Sequence, residues 1–523
     1  MNTAEDSTTA YDEVLYPPAV HIHTHIDRLA TVGKLRGLRP APIDRCRVLE
    51  LGCGAGTNLI SMAFNFPEST FIGIDIAHRP LIAGEEAIKE LGLKNIGLQR
   101  FDLCQANKER FGYFDYIIAH GVYSWVPEPV RERILAGCRE MLNAQGIAYI
   151  SYNAYPGNHL RDLARGIIRF HAAHFKSPTE KIQQARGILQ FLAESTPEPD
   201  AYITALRAEF ERAVRYKDEA FYHDDLGEVS QSFYFHEFIR NAERHGLQFL
   251  GEATPNEVDP EKVTTEVLNK LKELEGGSEI LREQYKDFVL GCPFRRNLLC
   301  HREVGLAPRR LQRVVNELYV ACEASPVEGK TDSTVFRRPA GGELESGYPL
   351  MVAALKCICS EWPCAISVAT VLERARASLV GAIPLTSQEE DAAALADGLL
   401  SAYERGFLQL QVGPRAVVNE ISSRPMSSAL ARYQSKRGDL ATSQLHKFVR
   451  LEDPLTRRMM QLLDGSRDQE SIVFELSESI RSGQIDIYQN GARMTDPVSI
   501  FAFVRRRVLE ISQALLKEGL LVR

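Results

Sequence analysis

The chain has 523 residues, which is too long for one hydrophobic core and predicts two to four domains. Its composition, 44% hydrophobic and 25% charged, is typical of a water-soluble globular protein. The net charge of −7 argues against a protein that binds nucleic acid mainly through phosphates. No apolar stretch approaches the ~20 residues that span a bilayer, and residues 1–7 lack the pattern of a signal peptide. We therefore expect no membrane insertion and a cytoplasmic location.

The ten cysteines are scattered and mostly lie among apolar residues, which indicates reduced thiols. Two groups have the spacing of metal ligands, Cys357-x-Cys359-x4-Cys364 and His21-x-His23-x-His25. The cysteine group lacks a second pair, so thiols packed on a helix are the better interpretation. On a strand the three histidines would share one face, but no nearby acid or cysteine completes a site. We therefore predict no metal.

A short apolar strand ends in a turn with glycines at alternate positions. Residues 48–51 are followed by Gly-Cys-Gly-Ala-Gly-Thr-Asn, and Glu50 lies two residues before the first glycine. Such a turn exposes bare backbone to a ligand. It resembles motif I of the class I S-adenosylmethionine methyltransferases, whereas a dinucleotide site would need G-x-G-x-x-G. We expect Glu50 to meet the positive amino group of this cofactor. The candidate binding residues here are Glu50, Gly52, Cys53, Gly54, Gly56 and Asn58.

Four further apolar runs, near residues 70–76, 96–101, 114–119 and 147–153, alternate with helical patterns. This alternation predicts an α/β fold, a doubly wound, Rossmann-like parallel sheet that binds ligands at the carboxyl ends of its strands. An acid about 20 residues past the glycine turn has the position that binds ribose hydroxyls. The acid after the third strand and the residue that follows it are placed to bind adenine. The candidates at these strand ends are Asp75, Ile76, Asp102, Leu103, His120 and Asn153.

Motifs along most of the chain resemble one bacterial family. The most specific is His-Gly-Val-Tyr-Ser-Trp-Val-Pro at residues 120–127, and others lie at 11–14, 234–238, 294–301 and 463–465. The family is the S-adenosylmethionine-dependent methyltransferases with a methyltransferase regulatory domain. Its best-understood members are rickettsial protein-lysine methyltransferases that modify an outer-membrane surface protein. The resemblance implies a protein substrate, an N-terminal lid and a homodimer.

This sequence departs from the family pattern at two positions. Ile26 replaces a proline, and Asn158 replaces a tryptophan after the fifth strand. If that tryptophan lines the substrate channel in relatives, the substrate of this chain differs. Asn158 therefore favours an alternative, a small-molecule N- or O-methyltransferase.

Methylation of lysine needs an amine that has lost its proton, and a dry aromatic pocket lowers the pKa of such an amine. We predict that Tyr16, Tyr123 and Trp125 wall the substrate channel and that His120 and Asn153 make polar contacts to the cofactor or the amine. The alternative for Tyr123 and Trp125 is a place in the core, and for His120 a structural hydrogen bond.

The remaining patterns divide the chain into segments. We predict a catalytic domain at 1–156, a helical insertion for dimerisation at 157–220, a return to the catalytic sheet at 221–255, a helical middle domain at 256–325, a linker at 326–347 and a winged-helix-like domain at 348–523. The last contains an internal echo, because residues 401–410 and 513–522 both read as a helix end, a glycine and a strand.

Three other functions stay open. A winged helix suggests a methyltransferase directed at DNA or RNA, but basic and acidic residues nearly balance from 457 to 523, which favours protein contacts. The second is a protein that binds S-adenosylmethionine without turnover. The third is a nicotinamide-dependent oxidoreductase, which a thermal-shift comparison of S-adenosylmethionine with NAD(P) would distinguish from a methyltransferase.

Overall fold

The structure is a computed structural model of the chain and describes residues 9–198, 200–254, 263–307, 310–327, 333–381, 384, 386–489 and 492–523. The prediction on residues 1–7 lies outside the described residues, as do the predicted boundary at 256 and part of the predicted linker. In the described part no helix has the length and apolar character needed to cross a membrane.

A seven-stranded sheet organises the first 300 residues. Its elements, with the N-terminal helices, are α1 (Ala10–Glu13), α2 (Ile26–Leu35), β1 (Arg47–Leu51), α3 (Thr57–Asn65), β2 (Thr70–Asp75), α4 (His78–Leu91), β3 (Ile96–Arg100), α5 (Lys108–Phe111), β4 (Phe114–Ala119), α6 (Glu128–Met141) and β5 (Leu142–Asn153). The strand order is β3-β2-β1-β4-β5, all parallel, as the alternation of strands and helices predicts.

Two antiparallel strands complete this sheet beyond β5. The elements of this part are α11 (Phe235–Arg244), β6 (Leu247–Glu252), α12 (Thr265–Glu275), α13 (Glu279–Leu290) and β7 (Phe294–His301). The later strand, β7, lies between β5 and β6 and pairs antiparallel with both. The predicted return to the sheet is thus present at β6. The segment predicted as a helical middle domain, 256–325, contains the helices α12 and α13, but its residues 294–301 form a strand of the catalytic sheet.

The sheet is covered on both faces. One face packs against α6 and α11, and the other against α2 and α3, with separate clusters of buried apolar side chains. Strands buried on both faces read as continuous apolar runs, which is why the parallel strands stand out in the sequence.

A helical unit follows β5. It contains α7 (His159–Ala172), α8 (Pro178–Ala193), α9 (Ala201–Arg215) and α10 (Asp218–Leu226), which share one buried cluster. The cluster includes Phe221 and Tyr222, so the helical insertion continues to the end of α10, a few residues past the predicted boundary.

The segment predicted as a linker contains strands. A three-stranded antiparallel sheet is made of β9 (Ser325–Val327), β10 (Thr334–Arg337) and β11 (Glu343–Ser346). Glycine, proline and serine here mark turns between short strands, and Phe336 is buried in the next core. The linker prediction is therefore wrong for the described residues.

The C-terminal part has two cores, not one. The first belongs to α14 (Gln312–Val315), β8 (Tyr319–Ala321), α15 (Pro349–Ser360), β12 (Ile366–Ser367), α16 (Val368–Leu379), α17 (Gln388–Glu404) and β13 (Gln409–Gln411). The second belongs to β14 (Met426–Ser427), α18 (Ala429–Ser435), β15 (Leu440–Thr442), β16 (Phe448–Arg450), α19 (Pro454–Leu462), α20 (Gln469–Arg481), β17 (Tyr488–Gln489), β18 (Ala492–Arg493), α21 (Pro497–Lys517) and β19 (Leu521–Val522). The echo seen in the sequence corresponds to the ends of these units, where α17 leads through Gly406 to β13 and α21 through Gly519 to β19.

Candidate active site

The glycine turn joins β1 to α3 at the carboxyl end of the sheet. Gly52, Gly54 and Gly56 all have left-handed backbone angles, with φ of +72°, +53° and +65°. A Cβ on Gly52 would lie 2.4 Å from Val122 Cγ2, and one on Gly56 would lie 2.8 Å from a methyl carbon of Leu98. A Cβ on Gly54 would meet nothing within 4 Å. Two of the glycines are therefore needed for packing, whereas Gly54 presents bare backbone to open space.

Asp75, the last residue of β2, holds this turn from the side. Its Oδ2 accepts a hydrogen bond from the Gly54 N–H at 2.7 Å, and its Oδ1 accepts one from the Ala77 N–H at 2.9 Å. Burial raises the pKa of Asp75, and these backbone hydrogen bonds oppose the rise. Each carboxylate oxygen has a second lone pair, so the group can still accept hydrogen bonds from the two hydroxyls of a ribose.

Glu50 lies buried below the same turn. Its Oε1 accepts a hydrogen bond from Asn58 Nδ2 at 2.9 Å, whereas its Oε2 is buried without a partner among the described residues. Burial raises the pKa of Glu50 to about 8. An unpaired buried carboxylate oxygen is costly, and a positively charged ligand group would compensate it. The open space at Gly54 and this oxygen together fit S-adenosylmethionine.

The other predicted cofactor residues flank this pair. Cys53 is half-buried with its Sγ against Gly73, so its backbone, not its thiol, faces the turn. Ile76 is exposed beside Asp75. Asp102 begins a 3-10 turn, Leu103–Gln105, and its Oδ1 accepts a hydrogen bond from the Cys104 N–H at 2.9 Å. Contacts of Asp102 and Leu103 with adenine stay a prediction.

His120 follows β4 and adjoins the N-terminal segment. Its Nδ1 shares a hydrogen bond with the Tyr149 hydroxyl at 2.8 Å, and its ring centroid is 3.7 Å from that of His21. Burial and the neighbouring His21 lower the pKa of His120 well below its usual value, so the ring is neutral. The structural hydrogen bond that was the alternative for His120 is therefore present.

Asn153 ends β5 at the same edge of the sheet. Its backbone N–H donates to Ser124 Oγ at 2.8 Å and its carbonyl accepts from the Phe233 N–H at 3.0 Å. The side-chain Nδ2 is buried and has no hydrogen-bond partner within the described ranges. Asn153 thus has an unpaired donor, its Nδ2, whereas Glu50 has an unpaired acceptor, its Oε2.

The three aromatic residues predicted to wall a substrate channel have different surroundings. Tyr16 is 45% exposed, and Trp125 is half-buried under the guanidinium of Arg165. Tyr123 is only 1% exposed, its hydroxyl accepts from Asn241 Nδ2 at 3.1 Å, and its ring packs against core aromatics, as does that of Tyr152. The expectation of a channel wall at Tyr123 is not met, since its ring lies in the core.

The N-terminal segment lies across the strand ends, and its predicted role as a lid stays a prediction. Asp12 Oδ1 accepts hydrogen bonds from the His78 and Arg79 N–H groups, both at 2.8 Å, and so caps α4. Tyr11 stacks on His223 with ring centroids 4.4 Å apart. In the sequence Tyr11 and Asp12 stand out only as part of a family motif, because pairing with distant partners gives no local signal.

Asp224 is a further candidate that sequence reasoning missed. Its Oδ1 lies 3.5 Å from the Tyr16 hydroxyl, which donates to it, and burial raises the pKa of its carboxyl. Burial raises the pKa of Tyr11 to about 12, and the charges of Asp224 and Asp75 add to this. Tyr11 therefore lies near both Asp75, the candidate ribose-binding acid, and Asp224.

The histidine run forms a 3-10 turn, Ile22–Thr24, and not a strand. Its rings diverge, since His21 meets His120, His23 Nδ1 bonds Thr254 Oγ1 at 2.5 Å, and His25 packs against Phe66. Among the described residues no group of three potential ligands could hold a metal ion.

Three protein families match parts of the chain. Residues 49–148 match a methyltransferase domain, residues 217–301 a predicted methyltransferase regulatory domain, and residues 423–520 the PKMT C-terminal winged helix domain. The predicted winged-helix character of the C-terminus is thereby confirmed for the second of its two cores.

Individual relatives extend this likeness. The uncharacterized protein RP028 of Rickettsia prowazekii is 37% identical over 242 residues, which cover 46% of this chain and 96% of that protein. The uncharacterized protein RP789 of the same organism is 35% identical over 298 residues, 57% of this chain, but the match spans only 53% of RP789. The solved structure of PKMT2 from Rickettsia typhi has a TM-score of 0.84 and 27% identity, and covers 97% of this chain and 100% of that one. Its complex with AdoHcy gives a TM-score of 0.83.

A Rossmann-like sheet with this glycine turn after β1, and with acids at the carboxyl ends of β1 and β2, defines an S-adenosylmethionine-dependent methyltransferase. S-adenosylmethionine is the cofactor. The chain belongs to the rickettsial-type, PKMT-like methyltransferases, as the sequence resemblance predicted.

Proposed function

We propose that the chain methylates lysine side-chain amines of a protein. The observation that carries the proposal is the group formed by Tyr11, Tyr16 and Asp224 beside the cofactor carboxylate Asp75. Asp224, whose other oxygen lies 3.7 Å from Arg161, would attract an ammonium group through charge, and the exposed ring of Tyr16 would add a cation–π contact. The likeness to the PKMT2 structure supports a protein acceptor.

We assign roles in the proposed methyl transfer to residues of the candidate site. Glu50 and Asn58, with the Gly54 backbone and Asp75, would hold the amino acid and ribose parts of the cofactor, and Asp102 the adenine side. Bound S-adenosylmethionine supplies a methyl group on a sulfonium, a good leaving group. Asp224 and Tyr16 would orient the lysine amine, whose proton passes to water before the nitrogen attacks the methyl carbon. The residues of the chain would contribute mainly by positioning the amine against that methyl group, with the neutral thioether as the leaving group.

The small-molecule alternative loses its sequence support. Asn158, which replaced the family tryptophan, is buried, and its Nδ2 donates to Ser232 Oγ at 2.6 Å and to Asp162 Oδ1 at 3.2 Å. This side chain anchors the start of α7 and is not placed to select a substrate.

A labelling experiment tests the proposal. Methyl-labelled S-adenosylmethionine is incubated with the enzyme and bacterial lysate, and labelled lysines are located by mass spectrometry. Tyr16→Ala should lower protein labelling at least tenfold, about 1.4 kcal/mol of transition-state stabilisation, while cofactor affinity stays within twofold. The matched control is Tyr113→Ala, because Tyr113 is also exposed but lies at the amino end of β4. Label confined to small molecules, or equal loss in both variants, would refute the assignment.

We also infer that the helical unit α7–α10 pairs two copies of the chain. The family resemblance implies a homodimer, and this unit exposes Phe170 on α7, at 79%, and Phe191 on α8. Light scattering should show a dimer that Phe170→Glu dissociates. Phe474→Glu, at an exposed phenylalanine on α20, is the control and should leave the mass unchanged. A monomeric wild-type chain would refute this inference.

The family resemblance favours a bacterial surface or outer-membrane protein as the acceptor, and a cytoplasmic location for the enzyme stays a prediction. The domain roles given from the sequence, including regulation by the middle segment, likewise remain proposals.

A further inference from the structure

The tip of the β15–β16 hairpin in the winged-helix domain enters the catalytic domain. His446 at this tip is only 2% exposed. Its Nε2 lies 2.9 Å from Asn58 Oδ1, and its Nδ1 lies 3.0 Å from Ser61 Oγ, so the ring bridges two turns of α3. Asn58 is the residue whose amide bonds Glu50. A side chain from the far end of the chain therefore contacts the cofactor site through one intermediate residue.

The backbone at this tip is strained. His446 has a φ of +53°, the single positive value among the described residues that are not glycine. The turn is closed by the Ser443 N–H, which donates to the Lys447 carbonyl, and by the His446 N–H, which donates to the Ser443 carbonyl. Left-handed backbone at a residue other than glycine persists only where surrounding contacts hold it, and such strain concentrates at functional sites. Here the contacts that hold it are those of the imidazole.

The hydrogen bonds at Asn58 have one direction. The His21 backbone N–H donates to Asn58 Oδ1 at 3.1 Å, which fixes the orientation of the amide. His446 must therefore donate from Nε2 to that oxygen and accept from Ser61 at Nδ1, as the neutral ring does. Asn58 Nδ2 in turn donates to Glu50 Oε1. Hydrogen bonds are thus donated in one chain, from Ser61 to His446, from His446 to Asn58 and from Asn58 to Glu50. The Oε2 of Glu50 would then accept from the ligand.

We propose that His446 is a positioning residue for cofactor binding, through which the winged-helix domain holds the Asn58 amide against Glu50. The proposal rests on the assigned S-adenosylmethionine site and not on the identity of the methyl acceptor. Coupling of this kind is reciprocal, so the cofactor also stabilises the docked hairpin. The winged-helix domain is then a part of the cofactor site and can change cofactor affinity when it moves.

Calorimetry of S-adenosylmethionine binding to the full chain tests the proposal. His446→Asn is the main variant, because asparagine tolerates the left-handed conformation but its side chain is too short to bridge Asn58 and Ser61. We expect about tenfold weaker binding, which is about 1.4 kcal/mol. The control is Arg437→Ala, which breaks an ion pair to Glu90 between the same two domains, with both side chains half-exposed and remote from Glu50. It should change affinity less than twofold.

Two further measurements distinguish positioning from simple support of the fold. The first is a double-mutant cycle of Asn58→Ala and His446→Asn. If the two residues acted independently, Asn58→Ala would weaken cofactor binding equally in the wild type and in His446→Asn. We expect instead that it weakens binding much less in His446→Asn. Hydrogen exchange at residues 443–447 should slow when the cofactor binds to the wild type.

Additive effects, or an equal loss in Arg437→Ala, would overturn the proposal. So would wild-type affinity in His446→Asn or unchanged exchange at the hairpin tip. Absence of any binding heat in the wild type would be a different failure, since it removes the cofactor assignment before a variant is made.

Discussion

The buried carboxyl of Glu50 predicts a specific pH dependence of cofactor binding. Its pKa of about 8 is set by burial, and the single hydrogen bond from Asn58 only partly opposes this. At pH 7 such a group is ionised in roughly one molecule in eleven, so ionising it for a positive ligand costs about 1.4 kcal/mol. Affinity should therefore rise about ninefold from pH 6 to pH 7 and by a smaller factor, at most about fivefold, from pH 7 to pH 8.

Above pH 8 a second group limits binding. The α-amino group of the ligand has an ordinary pKa near 8 and loses its charge there, so affinity should level off and then fall. Glu50→Gln keeps the acceptor for Asn58 but cannot be ionised. In this variant the decrease below pH 8 should disappear, and binding at pH 8 should be weaker than in the wild type.

Calorimetry in buffers of different ionisation enthalpy measures the protons directly. At pH 7 the wild type should release close to one proton on binding S-adenosylmethionine, and Glu50→Gln close to none. Equal proton release in the two proteins, or affinity independent of pH between 6 and 8, would refute the role of Glu50.

The same carboxyl has the opposite consequence for the unliganded protein. Its pKa in the folded state is raised above the unfolded value near 4.5. The stabilising contribution of the protonated form is therefore complete below pH 4.5 and is lost as pH rises toward 8. Thermal unfolding without ligand should show Glu50→Gln gaining stability relative to the wild type between pH 5 and pH 8, which also verifies that this variant folds.

Three other substitutions have effects that follow from the geometry. Gly54→Val should abolish cofactor binding, measured by calorimetry, because its side chain would fill the open space beside the turn. The chain should still fold, since the side chain meets no neighbour and the left-handed φ costs only about 1–3 kcal/mol. Gly52→Ala should lower the melting temperature more than Gly54→Ala, since its Cβ would lie 2.4 Å from Val122. Asp225→Asn should destabilise the helical unit by about 3–5 kcal/mol in denaturant unfolding, because it leaves three arginines around a buried position without their shared carboxylate.

The parallel half of the sheet could be predicted from the sequence because its information is local. The central strands β1, β4 and β5 are mostly apolar and largely buried, and the glycine turn with Glu50 and Asp75 marks the candidate ligand site. The antiparallel strand β7 was missed for the converse reason. It has three consecutive polar residues, Arg295 to Asn297, and the side chains of Arg295 and Asn297 are satisfied by acids on other elements, such as Asp287 and Glu252. No local pattern announces such partners.

The same limit explains the errors within the site. The sequence around an aromatic residue in the loop after β4 is the same whether the ring lines a channel or packs in the core. Tyr123 was predicted to line a channel, but its ring is buried in the core. Asp224 and Tyr16 are 208 residues apart, and His446 and Asn58 are 388 apart, so neither pairing could be inferred from spacing. Sequence therefore predicts the candidate residues supplied by the sheet and gives no signal for those supplied by other segments.

These long-range contacts make the cofactor site a property of the whole chain. The sheet supplies Glu50 and Asp75, the N-terminal segment supplies the Asp12 cap of the helix after β2, and the winged-helix domain supplies His446. Glu50 attracts a cation strongly only while water is excluded from its carboxylate, because water at Oε2 would raise the local dielectric constant and weaken the charge interaction. The extra domains thus contribute to cofactor binding by the same contacts that exclude water from Glu50, and any movement that frees the hairpin tip would hydrate that carboxylate and weaken its attraction for the ligand.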